Sequence, residues 1–589
     1  MSIDPVTLQV IGGALHTIAR EMAYVLYRMS FSSIIRESED LGAGLFDRSF
    51  ATLCESDNTP LHIGSIPGYL RGIEASMTTP WREGDVVIHN HPYFGASHSP
   101  DIAVVVPVFY EGRHIGFAGN TAHHVDIGSA TPGLIVDIQD IFGEGMLLKA
   151  VKLYEGGVRN ETVWNYLANN SRVGRQLQDD LGAQIASAQL GARRFQELYA
   201  TYGAETVEAA SAELMAYTER MLRKRIAEIP DGDYVAESWL DDDGRNRGVR
   251  LPIKVCVRIR GDEAEVDLTG SSPQVPTAFN VPFEGSTKVA CYVAFRSLLL
   301  DTFTASVPIP ANEGSFRPIR VTAPKGTIFN PIFPTAASAR FSQCNRMIDC
   351  IIRALSPVLP DAAIAGSSAS LSFVAYSGLR KTSNDYWVFI EVNEGAYGGR
   401  PRSDGPDSID NLMANTRNNP IEDLGMHLPM ICDRYELRDD VECGAGRFRG
   451  GIGVVKHQRL LEGGWLTHEA ERHTDKPWGL FGGHDGAEGR VDIFNHADPA
   501  GTTEPQHAKI SGVVMKPGDT MAFYSPCGGG FGDPLERPAA TVLDDVLDGF
   551  CTMGYARSAY GVVIDDAMRI DHEATLALRA EMAARAAAR

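Results

Sequence analysis

Apolar side chains recur at Leu8, Ile11, Leu15, Ile18, Met22, Val25 and Met29, alternately three and four residues apart. That spacing keeps one face of a helix apolar and predicts a single buried stripe. Asp4 is placed to cap this helix and Pro5 to occupy its first position. Residues 38–153 read differently, rich in turns and β-like. Within them 102–109 is an apolar run, read as a buried strand with Pro107 near its end. A return strand follows near 115–119.

Helical periodicity resumes over 171–229. Leu177, Leu181, Ile185, Ala188 and Phe195 line one face, and Tyr202-Gly203 breaks the pattern before a second helix over 205–228. This predicts a helical hairpin. Strands are expected at 253–259 and 264–268 across Gly261-Asp262, and helices near 286–300 and 342–355. Residues 387–532 are Gly-rich with short strands. A last helix is expected from Asp571, its N-cap, to the end. The pattern predicts a mixed α+β fold, with β-rich central and C-terminal parts. Five units are expected: 1–170, 171–235, 236–385, 386–540 and 541–589.

Composition narrows the function. The 589 residues are 44% hydrophobic and 22% charged, enough to bury large cores. Lys+Arg number 54 and Asp+Glu 75, so the formal charge is −21. That balance argues against nucleic acid and anionic lipid as partners. No stretch reaches the roughly 18 uncharged apolar residues of a membrane span. Residues 1–30 read as an amphipathic helix, not a secretory leader. The nine Cys are scattered without a CxxC pair. Reduced thiols and a cytoplasmic location are the expectation.

Candidate chemistry gathers in the first unit. His62, His89, His91, His98, His114, His123 and His124 are seven of the 16 histidines. His98 and Asp101, three apart on a loop, can point at one ion, and the 102–109 hairpin would return His123 beside them. Two imidazoles and a carboxylate leave open positions, the pattern of a catalytic metal site. His123 and His124 face opposite sides if extended, so at most one joins. From spacing alone, a metal site and a hydrogen-bonded core both remain open. There is no GxxxxGK[ST] and no GxSxG. Residues 444–451 and 527–534 read as tight turns rather than phosphate loops. Cys527 has no His nearby in sequence to activate it.

The chain resembles the hydantoinase B / oxoprolinase family. The signposts are Arg36-Glu37 with Asp40, Leu61-His62-Ile63-Gly64-Ser65-Ile66-Pro67, Gly84-Asp85-Val86, His98-Ser99-Pro100-Asp101-Ile102 and Ala122-His123-His124-Val125-Asp126-Ile127-Gly128. Asn312-Glu313-Gly314, Gly444-Ala445-Gly446-Arg447-Phe448-Arg449-Gly450-Gly451 and Gly528-Gly529-Gly530-Phe531-Gly532-Asp533-Pro534 continue the series in order.

The resemblance implies a divalent ion held by His98, Asp101 and His123, with Asp40 as fourth ligand or near neighbour. His124, His91 and Asp126 would support the ligands. Asp40, Asp126 or Glu144 would be the general base. Zinc is favoured for a hydrolase, with manganese or iron as alternatives. ATP would be used on a separate hydantoinase A-type subunit, in an A2B2 assembly. The implied reaction is ATP-dependent opening of a cyclic amide such as a hydantoin, lactam or oxoproline-like ring. The related alternative is an ATP-dependent ketone carboxylase of the acetone or acetophenone type. The chain departs from the family pattern at Asn90-His91-Pro92, Gly95-Ala96-Ser97 and Gly425; the first two lie beside the implied site and bear on the substrate. A phosphorylated intermediate would need positive charge, for which Arg36 or Arg400 are candidates.

Overall fold

A computed structural model describes residues 3–300, 308–495 and 503–587. The fold is mixed α+β, as the pattern predicts. Asp4 accepts a hydrogen bond from the Thr7 N–H and opens the helix Pro5–Met29. Its buried stripe runs through Ile11, Leu15, Ile18 and Met22 to Leu26. Met29, expected on that stripe, is exposed, because a four-residue step from Met22 turns the face to Leu26.

The first seven-stranded sheet is antiparallel throughout. Its spatial order is Thr52–Glu55, Leu41–Asp47, Arg113–His123, Asp101–Tyr110, Val86–His89, Val151–Glu155, Val158–Arg159. Both faces are covered. Pro5–Met29 and Gly174–Tyr202 pack on one side, where Leu45, Val104 and Ala118 point. On the other, Phe46, Val105 and Phe117 meet Ile66, Leu70 and Ile73 of the helix Pro60–Ser76. Two covered faces are why residues 102–109 are apolar at every position rather than at alternate ones.

The helix Pro60–Ser76 falls inside the stretch read as β-like. Pro67 and several glycines mask its periodicity. Close packing explains one of them: a Cβ on Gly72 would lie 1.6 Å from the Phe94 carbonyl oxygen. The helical hairpin forms as Gly174–Tyr202 and Ala204–Ile226 around Gly203.

Three further sheets complete the described residues. One has the order Ile319–Thr322, Glu263–Asp267, Leu251–Arg260, Gly232–Leu240, with the almost fully buried helix Phe341–Leu355 against it. The next has the order Tyr386–Val392, Phe373–Leu379, Gly464–Glu469, Lys509–Met515. A five-stranded sheet is centred on Asp519–Tyr524. The two Gly-rich segments pack against one another. Phe448 pairs with Phe531, and a Cβ on Gly530 would meet the Ala445 carbonyl at 1.9 Å. Cys527 is buried there and its thiol pKa is raised by burial, which does not favour a nucleophilic thiolate. No described helix is long and apolar enough to cross a membrane.

His468 is fully buried on the strand Gly464–Glu469, between the rings of Phe523 and His473, and neither ring nitrogen has a partner. Burial, then His473, pushes its pKa down to about 3. The unfolded chain, with an ordinary imidazole near 6.5, binds the proton first, so stability is lost as pH falls from about 6.5 towards 3. His468→Leu should therefore lose about 1–2 kcal/mol less than wild type between pH 7.5 and 5. Urea unfolding at both pH values checks this.

Candidate functional site

Three strands of the first sheet bring the site together at one end. Asp101 starts the strand Asp101–Tyr110 and lies directly opposite His123, which ends its hairpin partner. Leu41 pairs with Ala122, so Asp40, just before that strand, sits beside His123, whose N–H donates to the Asp40 carbonyl at 3.2 Å. Ligand atoms of His98, Asp101 and His123 lie within 4.8 Å of one another, and all three residues are buried. The His98 and His123 ring centroids are 5.1 Å apart.

The hydrogen bonds fix which atoms are free. His98 Nδ1 is 2.8 Å from the Ser338 carbonyl oxygen, which can only accept, so Nδ1 carries the proton. His98 Nε2 then presents its lone pair to Asp101 Oδ1 at 2.7 Å. Burial, then the Arg340 guanidinium, lowers the His98 pKa and favours a neutral ring. Burial would raise the Asp101 pKa, but the cationic neighbours His62 and Arg340 hold it well below the carboxylate range. Two lone pairs facing each other call for a cation between them. His123 is also neutral, its pKa pushed down to about 3 by burial and then His98. Its Nδ1 is buried without a partner. Neutral imidazoles and an ionised carboxylate are the protonation states that metal binding requires. The donor set fits a divalent ion.

Neighbours aim the carboxylate. Arg340 donates to Asp101 Oδ2 at 2.9 Å and Ser97 Oγ donates to the same oxygen, leaving Oδ1 to face His98. His62, from the helix Pro60–Ser76, joins Asp40 to the cluster. Its Nε2 is 2.9 Å from Asp40 Oδ1 and 3.7 Å from Asp101 Oδ1. Burial opposes the charge on each, yet the pair outweighs it: Asp40 is lowered by His62, and His62 is raised by Asp101 and Asp40. Asp40, His98, His123 and Arg340 line one narrow pocket of about 20 Å³, with Phe373, Ile390 and Val392 on its apolar side.

The other expected site residues lie elsewhere. Asp126 accepts from Arg172 N and Nη1 and from Ser171 Oγ, at the start of the hairpin, and does not line the pocket. His124 points away from His123 and contacts Gln184 Oε1 at 3.0 Å, rather than holding a ligand imidazole. The His91 ring packs edge-on against Phe94 and lines a second pocket. Arg36 is taken up by Glu37 and Asp423, Arg400 donates to the Asp404 carbonyl, and neither lines the pocket, where the cation is Arg340.

Glu144 is buried behind His98. Its Oε1 accepts from the Ala337 and Ser338 N–H groups and its Oε2 from Ser99 Oγ. These bonds occupy the carboxylate and suit positioning rather than proton abstraction. They tie the His98 loop to the Ser338 carbonyl that orients its ring. Glu144→Gln places an amide N–H₂ against one set of donors. The expected outcome is a roughly 10–100-fold weaker metal affinity, read by chelator competition.

The site is thus a buried His/Asp centre at the end of a sandwiched antiparallel sheet. The Hydantoinase B/oxoprolinase family matches residues 4–534, and the chain belongs to that family. It is 46% identical over 98% of both chains to the putative B subunit of a D-/L-hydantoinase from Pseudomonas sp. strain NS671. The solved ATP-dependent caprolactamase of Pseudomonas jessenii is 30% identical, with a TM-score of 0.90 over 98% of this chain and 100% of that one. An acetone carboxylase in its nucleotide-free form shares the fold at 19% identity, with a TM-score of 0.90 over 100% of this chain and 84% of that one.

Proposed function

We propose that this chain is the metal-dependent ring-opening subunit of an ATP-dependent cyclic amidase. Its substrate would be a hydantoin, lactam or oxoproline-like ring, and a separate ATP-binding subunit would activate the ring in an A2B2 complex. The observation that carries the reading is the facing pair His98 Nε2 and Asp101 Oδ1, with the unpartnered Nδ1 of His123 beside it. The hydantoinase and caprolactamase names of the two relatives support the reaction class.

His98, Asp101 and His123 would hold the ion, with Asp40 as the fourth donor. Two imidazoles with one or two carboxylates suit zinc, and also manganese or iron. When bound, such an ion supplies Lewis acidity and lowers the pKa of water. The protein supplies the rest. Ser338 holds the His98 ring in one tautomer. Phe373, Ile390 and Val392 limit bulk water. The Arg340 Nε, buried without a partner, can receive an anionic oxygen of the activated ring.

The test is co-purification with the ATP-binding subunit, metal analysis, and turnover of hydantoins, lactams and ketones with and without bicarbonate. Ring opening coupled to ATP and indifferent to bicarbonate is expected. Bicarbonate-dependent turnover of ketones alone would replace the reading with a carboxylase.

A further inference from the structure

One polar group in the pocket is not used by the arrangement above. Glu469 ends the strand Gly464–Glu469, where it pairs with Phe373 on one side and Lys509 on the other. Its side chain is fully buried and lines the same pocket as His98, His123, Asp40 and Arg340. Oε1 is 3.5 Å from Ser342 Oγ, a weak contact, and Oε2 has no partner. A carboxylate buried without a compensating hydrogen bond is costly, so a chain that carries one into a pocket gains little for its stability. The Lys509 ammonium hydrogen-bonds Glu471 and the Asp242 carbonyl rather than Glu469.

We propose that Glu469 is the proton-transfer residue of ring opening: it lines the pocket that holds the His/Asp centre, and its buried Oε2 has no partner. This rests on the cyclic-amidase reading. A water oxygen bonds to the carbon of the phosphorylated ring amide while one of its protons passes to Glu469 Oε2; the carbon–nitrogen π pair moves to nitrogen, which takes that proton. The carbon–nitrogen bond then breaks with its pair on nitrogen, the proton of the added hydroxyl passing to nitrogen through Glu469, and the carbon keeps the phosphoryl oxygen as an acyl phosphate. The carboxylate ends as it began, and a second water splits the acyl phosphate into carboxylate and phosphate. The groups facing Glu469 suit a residue that both takes and returns a proton. Burial raises its pKa to about 7, Lys509 and Arg340 work against that rise, and Glu471 adds to it. The Asp40 carboxylate and the neutral rings of His98 and His123 complete the surroundings across the pocket.

The test uses the complex with the ATP-binding subunit. Glu469→Gln keeps the side-chain volume. Metal content and KM should stay near wild type while kcat falls by about 10²–10⁴-fold. The wild-type rate should rise with pH through about 7, and the variant should lose that limb. Unchanged kcat and an unchanged profile would overturn the proposal. Should Glu469→Gln not fold, Glu469→Asp replaces it. A fall in kcat with the limb retained would support the role, and a wild-type rate would overturn it. A readout independent of turnover is the infrared difference between wild type and variant. It should contain a protonated-carboxyl band that disappears as pH rises through about 7; absence of the band at acid pH would also overturn the assignment. Failure of the wild-type complex to open any cyclic amide would instead sink the amidase reading. Wild-type activity with an indifferent Glu469→Gln would sink only the role of Glu469.

Discussion

His98→Ala is expected to lose the metal ion and the ring-opening activity together. The imidazole contributes one of three clustered donors, and its removal leaves Asp101 Oδ1 without the group it faces at 2.7 Å. Loss of a ligand should exceed the roughly 10–100-fold weakening typical of a lost supporting contact. The fold should survive, because the ring sits at the end of the sheet, on the loop before the strand Asp101–Tyr110. Metal content after gel filtration and turnover of the reconstituted complex read the two effects. A purely structural histidine would leave both intact. Asp101→Asn gives a graded version: the volume is kept, the charge is lost, and Arg340 faces an amide instead of a carboxylate.

Much of this geometry is legible in the chain without the fold. A three-residue step from His98 to Asp101 and an apolar run behind it are enough to suggest a hairpin returning His123, and the register pairs Asp101 with His123. The opposite orientation of His124 also follows from strand alternation. What the chain does not reveal depends on distant segments. Arg340 lies 239 positions from Asp101, and the Ser338 carbonyl 240 from His98, with no local pattern to link them. Glu469 comes from a different sheet. His62 is visible as part of a histidine-rich segment, but its link to Asp40 depends on the helix Pro60–Ser76, whose periodicity Pro67 and the glycines obscure. Asp126 has the right residue type in the right motif, yet Arg172 claims its carboxylate. Residue type and spacing therefore locate the centre, while only tertiary contacts sort ligand, support and bystander.

Arg340→Met should separate the metal from the charge network around it. Arg340 and Asp101 are an almost fully buried ion pair, with 4% and 0% of their side chains exposed. Removing one partner of such a pair leaves an uncompensated buried charge and costs about 3–5 kcal/mol. A divalent ion on Asp101 Oδ1 offers the same carboxylate a second source of positive charge. The cost should therefore be largest in chelator-treated protein and smaller in metal-loaded protein. Denaturant unfolding of wild type and variant, each with and without chelator, gives the four values needed. An equal loss in both states would mean that no cation shares Asp101 with Arg340. A smaller loss in the loaded state places the ion on that carboxylate without any assay of turnover. The same variant removes the pocket's cation, so substrate binding should weaken even where metal content is restored. A raised KM with metal retained would assign Arg340 to the anionic oxygen of the activated ring, and an unchanged KM would confine it to holding Asp101 in place.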